Sequence, residues 1–227
     1  MQISSNNINI RQNMRFKMPK QISTSNIIEA LLDGYTHAQH EYESMSGGYW
    51  LWQAPEYYIT TIISQKFHQL DGAKYITLEH GSKNTLEEAG AIGKGRLPSN
   101  ISERGRVDIL LWWGNATPRA IIEVKNQYFS KEQCEKDIKR LKASLLRKNG
   151  SSSLQFGMFS FYQSAADGVR KSAQQKVTDK INKIYNNCLS LLGEEFQVSL
   201  HTTEINQELG NNAWQAACVL MKVKSST

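Results

Sequence analysis

The chain predicts an α/β fold, a central mixed β-sheet flanked by helices. Two neighbouring segments, residues 106–113 and 120–125, are almost continuously apolar, as strands covered on both faces must be. Around them lie segments whose apolar residues recur at spacings of three and four, the mark of helices that bury one stripe. The 227 residues, 40% of them hydrophobic, suffice for one sizeable core, and no Pro- or Gly-rich linker divides them.

Residues 1–22 are polar and without periodicity, which predicts a flexible N-terminal arm and leaves 23–227 as a single domain. Thr24 or Ser25 suits the cap of a short helix through Leu32, with Ile27, Ile28, Leu31 and Leu32 inward. Residues 37–52 mix aromatics with Gly47 and Gly48 and predict a loop or bent helix. Pro55 suits the first position of a firmer helix reaching about Leu70, its buried stripe being Ile59, Ile62, Ile63, Phe67 and Leu70. Glu56 shares that inward face, although an acidic residue in the first turn also suits the helix dipole.

A strand is expected over residues 74–79, then a polar, glycine-rich loop over 81–103 that could close over a ligand. Its Gly93-Lys94-Gly95-Arg96 lacks the spacing of a nucleotide phosphate loop. Strands 106–113 and 120–125 follow, joined by a turn at 114–118 whose Gly, Asn and Pro are turn formers. A helix over 131–148 turns Cys134, Ile138, Leu141 and Leu145 inward and a basic surface outward, with Gly150 as its stop. A strand at 154–162, a second basic helix at 170–192 and closing strands at 196–205 and 214–224 complete the chain.

No uninterrupted apolar run approaches the ~18 residues of a membrane span, and the N-terminus lacks the apolar stretch of a signal peptide. Cys134, Cys188 and Cys218 lie far apart without CxxC spacing, which predicts free thiols in a reducing, cytoplasmic setting. The formal net charge is +6, and it is unevenly spread. Residues 119–183 carry 14 Lys/Arg against 6 Asp/Glu, a local +8 that leaves −2 for the remainder. Such a basic half is an electrostatic footprint for a polyanion; a merely solvated helix surface gives the same count.

The chemistry concentrates on three charged residues that interrupt the apolar strands: Asp108, and Glu123-Val124-Lys125 after the turn. Charges there are costly unless paired or bound to metal. Side chains alternate along a strand, so Glu123 and Lys125 share a face that Val124 does not. Antiparallel pairing through the Gly114 turn puts Asp108 opposite the end of the second strand. Two carboxylates then converge beside an ammonium, a hard-oxygen site for Mg²⁺ with a lysine near an attacking water. A buried salt bridge that only stabilises the sheet is the competing reading.

An Asp within an apolar strand, a turn, and an apolar strand ending in E-x-K resembles the PD-(D/E)XK nuclease superfamily, which has the restriction-endonuclease-like fold. The resemblance covers residues 55–162, with a helix, a strand, the motif hairpin, a helix and a strand in the family's order. Asp108 matches the first acid, Glu123 the second and Lys125 the lysine. The chain departs from the motif in placing Val107 where its name has proline. The resemblance implies a Mg²⁺-dependent (or Mn²⁺-dependent) nuclease hydrolysing phosphodiesters. It would be a DNA endonuclease of restriction, defence or DNA-processing type. Asp108, Glu123 and the Val124 carbonyl would hold metal, and Lys125 would orient or help deprotonate water. Glu56 would be the glutamate many members carry on the helix before the sheet.

Arg106, Asn126, Gln127, Lys139, Arg140 and Lys142 become candidate contacts to nucleic acid, each against a plain structural role. Trp112 and Trp113 suit a core better than a stacking platform, and His37 with His40 lacks partners for a metal site. A non-catalytic nucleic-acid-binding module, or an RNase, are the alternatives. The sequence leaves open whether a homodimer supplies a second cut.

Overall fold

In the computed structural model the described residues are 21–92, 96–127, 131–148, 150–208 and 211–224. The first helix, α1 (Thr24–Ser46), is far longer than the expected stretch ending at Leu32 and absorbs most of residues 37–52. Ser23 caps it, its Oγ accepting the Asn26 N–H at 3.1 Å. It ends at Gly47, whose φ of 76° is the left-handed conformation that favours glycine. Gly34 lets α1 lie close on the next helix, since a Cβ there would meet Ile63 Cγ1 at 2.8 Å. After a 3₁₀ turn at Leu51–Gln53 comes α2 (Glu56–Gln69), with Pro55 as its cap rather than its first residue.

Strand β1 (Lys74–Gly81) follows, and then a short helix, α3 (Ser82–Glu88), where only loop was expected. It buries Leu86 against Ala89, Ala91 and Ile101. The segment Gly93-Lys94-Gly95 lies outside the described residues, as does nearly all of the expected N-terminal arm. Ile22, counted with that arm, is instead buried in the core, and its carbonyl accepts from Arg119 Nη2 at 2.7 Å. Next are β2 (Arg106–Trp113), β3 (Pro118–Lys125), α4 (Lys131–Leu146), β4 (Phe156–Ala166) and α5 (Ala173–Leu192). The chain closes with β5 (Phe196–Thr202), β6 (Asn206–Glu208), which was not expected, and β7 (Asn212–Val223).

These strands form one open, mixed seven-stranded sheet, ordered β1-β2-β3-β4-β7-β5, with β6 also on β7. Pairing is antiparallel except between β3 and β4, which run parallel with α4 as their crossover. The apolar strands are covered on both sides, as expected. Ile109, Leu111, Ile122 and Val124 pack with α1 and α2, while Leu110 and Ile121 pack with α4 and α5. Burying one such side chain stabilises by roughly 1.5–3 kcal/mol, so the two middle strands hold both layers together. All three cysteines are free and buried. Among the described residues no helix is long and apolar enough to cross a membrane.

Candidate active site

The parallel pair β3 and β4 ends where α2 begins, and open α/β sheets bind ligands at the carboxyl ends of their strands. Lys125 is the last residue of β3, and Glu123 shares its face, the one covered by α4. The β2–β3 register pairs Ile109 with Ile122, which sets Asp108 beside Glu123 across the two strands. Asp108 Oδ2 accepts the Val124 N–H at 2.7 Å, clamping the two strands together. The three motif residues therefore meet on one sheet face.

Lys125 is their hub. Its Nζ donates to Glu56 Oε1 at 2.9 Å and lies 3.4 Å from Asp137 Oδ2 and 3.9 Å from Asp108 Oδ2. Glu56 comes from the first turn of α2 and reaches Lys125 around the end of the sheet, half exposed rather than facing α1. Glu123 is fully buried and is gripped by Arg140, with Nη2 to Oε2 at 2.5 Å and Nε to Oε1 at 3.3 Å. The same Nη2 lies 3.0 Å from Asp137 Oδ1. Glu56, Lys125 and Asp137 line a cavity of about 300 Å³ together with Gln127, Cys134 and Lys136.

Asp137 was missed by the sequence reading, and its signal was there. It lies three residues after the buried Cys134 and four before the buried Leu141, on the inward stripe of α4. Arg140 was expected on the outward basic surface; it turns inward because a buried carboxylate requires a partner. Asn126 also serves the fold, its Nδ2 holding the carbonyls of Trp52 at 3.2 Å and Ala54 at 2.9 Å. Lys142 caps the end of α5, donating to the carbonyls of Leu191 and Leu192. Lys139 is a surface residue paired with Glu135 one turn back at 3.2 Å. Arg106 is exposed and 3.9 Å from Glu79, not bonded to Asp108. Trp112 donates to Thr77, Trp113 lies under the Arg119 guanidinium, and His40 packs edge-on against Trp214.

Burial, reinforced by Asp108, pushes the Glu123 carboxyl well above its ordinary value of 4.5, with Arg140 opposing. Burial also raises Glu56, although Lys125 pulls it back. Burial alone would lower Lys125, but Asp108, Asp137 and Glu56 outweigh it and hold the ammonium above its ordinary 10.5. Burial, with Asp137 adding, lifts the Cys134 thiol to about 12, so it stays protonated at neutral pH. A carboxyl raised on folding takes up protons in the folded state. Its contribution is therefore complete below pH 4.5 and is lost as pH rises through the raised value. Lys125 and Arg140 titrate far above this window and do not change its slope. With chelator present, thermal unfolding is expected to show the site destabilising the protein progressively as pH rises above 4.5. Glu123→Gln is expected to flatten that trend.

The backbone beneath is pinned by a buried hydroxyl network. Tyr35 Oη lies 3.2 Å from both the Lys125 carbonyl and Ser160 Oγ, and Ser160 Oγ donates to the Glu123 carbonyl at 3.0 Å. Tyr35→Phe is expected to cost about 1–2 kcal/mol in urea unfolding, the usual loss for a buried hydroxyl whose acceptors are stranded.

The donor set suits a hard divalent cation in composition. Four carboxyl groups (Glu56, Asp108, Glu123, Asp137) face two cations (Lys125, Arg140), so acids outnumber cations inside the cluster. In the arrangement present, Glu123 spends both oxygens on Arg140, and among the described residues no three His, Cys, Asp or Glu side chains are grouped to hold an ion. Arg140 thus occupies the acceptors that a metal would need. No protein family, no characterised protein and no solved structure matches the chain.

Proposed function

We propose that this chain is a divalent-metal-dependent nuclease of the PD-(D/E)XK type that hydrolyses phosphodiester bonds, with DNA as its first substrate. One observation carries the reading. Asp108, Glu123 and Lys125 converge on one face of adjacent strands, inside a cluster whose acids outnumber its cations. The order α2, β1, β2, β3, α4, β4, interrupted only by the short α3 after β1 and with β3 and β4 parallel, supports a restriction-endonuclease-like core.

Asp108, Glu123 and the Val124 carbonyl would hold Mg²⁺ or Mn²⁺, which when bound supplies Lewis-acid stabilisation of the charge built on the phosphate. Lys125, kept as an ammonium by its acidic neighbours, is suited to orienting the attacking water and to countering charge on the phosphoryl oxygens, more than to taking a proton. Glu56, raised by burial, is the group on the cavity wall best placed to accept that proton. Together these effects must supply well over ~10 kcal/mol of barrier lowering, because phosphodiesters resist hydrolysis strongly.

The grip of Arg140 on Glu123 favours one second reading, a module that binds nucleic acid on the same fold without cutting it. Supercoiled plasmid separates the two. The nuclease reading expects nicking with Mg²⁺ or Mn²⁺ that EDTA abolishes, and RNA offered in parallel tests the preference for DNA. Plasmid retention without any nicking would favour the module.

A further inference from the structure

A second cavity, of about 540 Å³, opens beside the carboxylate cluster and is lined by Trp50, Trp52, Gln53, Gln127, Ser164 and Asn212, among others. Its size suits a small organic group. Gln127 lines both cavities, so they are neighbours that share a side chain. The two bonds from Asn126 to the Trp52 and Ala54 carbonyls fix the tryptophan turn against the end of β3. The pocket therefore begins two residues beyond Lys125, at Gln127, on the same sheet end as the proposed chemistry.

Its chemistry selects among occupants. Trp52 is 39% exposed although it is a large aromatic residue, and Tyr49 and Tyr57 are exposed on either side of it in sequence. Trp50 and Trp52 both line the pocket and offer aromatic surface on which a planar ring can stack. Gln53, Gln127 and Asn212 are amides, each with both donors and acceptors, the complement of a heteroaromatic edge. Gln53 Oε1 already accepts the Trp50 N–H at 3.3 Å, and a purely apolar guest would leave the Gln127 and Asn212 amides without partners. Lys180 and Lys176 place their ammonium groups on the carbonyls of Ser164 at 2.8 Å and Ala166 at 3.0 Å, two residues of the pocket wall. Stacking surface, amide edge and adjacent cations are the three elements that hold a base and its flanking phosphates.

We propose that this cavity takes an unpaired nucleobase next to the scissile phosphate, so that the chain prefers single-stranded or locally opened nucleic acid. The proposal rests on the nuclease reading for its orientation, because the shared Gln127 is what joins base pocket to cutting site. A base stacked within an intact duplex offers no free face, so a duplex must flip or open to use the pocket.

The test uses the full chain, EDTA and a single-stranded dodecanucleotide carrying one 2-aminopurine, whose fluorescence falls on stacking. Binding is read by anisotropy in the same sample. Wild type is expected to quench the probe and to bind it more tightly than the same sequence as a duplex. Trp52→Ala is expected to bind about tenfold more weakly without quenching, and Trp52→Phe to keep part of both. Trp52 is exposed enough that the variants should fold, which a circular dichroism melt checks. Unchanged affinity in Trp52→Ala, or an unquenched probe on wild type, overturns the proposal. Because EDTA removes catalysis, the two ideas fail separately. Metal-dependent cleavage without quenching overturns the pocket alone, and quenching without metal-dependent cleavage of either plasmid or the single strand overturns the nuclease alone.

Discussion

Lys125→Met is expected to lower metal-dependent cleavage by at least about 10²–10³-fold, the loss typical when a preorganised charge is removed from a developing anion. The same change should destabilise the protein, because Glu56, Asp108 and Asp137 all lean on that one ammonium. Stranding mostly buried carboxylates costs about 2–4 kcal/mol once the partial exposure of Glu56 is allowed for. Lost cleavage could then be blamed on a loosened fold. The double variant Asp137→Asn with Lys125→Met answers this, since removing one acid that leans on the cation, and that takes no step in the proposed chemistry, relieves part of the repulsion. It is expected to regain stability in denaturant titration without regaining cleavage. Recovery of both would make Lys125 a structural counter-ion only.

Arg140→Met should cost the protein a large share of its stability. Glu123 is 0% exposed, and its two oxygens are served by this guanidinium. Breaking a buried pair from one side costs about 3–5 kcal/mol. The loss is expected to grow as pH rises and to shrink as it falls, because the raised Glu123 carboxyl takes a proton at lower pH and sheds the uncompensated charge. Divalent metal should do what the proton does. If Arg140 occupies acceptors that belong to an ion, Mg²⁺ or Mn²⁺ should raise the melting temperature of Arg140→Met by more than that of wild type, as ligand linkage requires. An equal rise in both would mean that guanidinium and ion do not compete.

The central hairpin was legible because strand alternation is strict. An acid and a base two residues apart in a continuous apolar run must share a face, and Asp108 on the partner strand must meet them. Less of α1 could be read, for identifiable reasons. Beyond Leu32 it carries Gly34, His37, Gln39 and His40, polar or flexible residues that hide the helical period. Gly34 is needed for close contact with Ile63, and Gln39 accepts bonds from Leu51 and Tyr162. Tertiary contact overrode local propensity there. The short α3 has too few residues to show a period, and three-residue β6 too few to show alternation.

On α4 the difficulty was of sign. Lysines and arginines crowd that helix, and nothing in their spacing separates Lys139, which meets Glu135 in solvent, from Arg140, which enters the site. Only the position of Glu123 beneath the helix decides it. Asp137 could have been found as the one acid on the buried stripe. Its neighbours Cys134, Ile138 and Leu141 were read correctly as inward, and a charge among them asks for a partner.

Anomalous diffraction from crystals grown with Mn²⁺ tests the central claim most directly. The expected result is a peak bounded by Asp108, Glu123 and the Val124 carbonyl, with the Arg140 guanidinium withdrawn from Glu123. A peak elsewhere, or an Arg140–Glu123 pair still closed in protein that cleaves DNA, would contradict it.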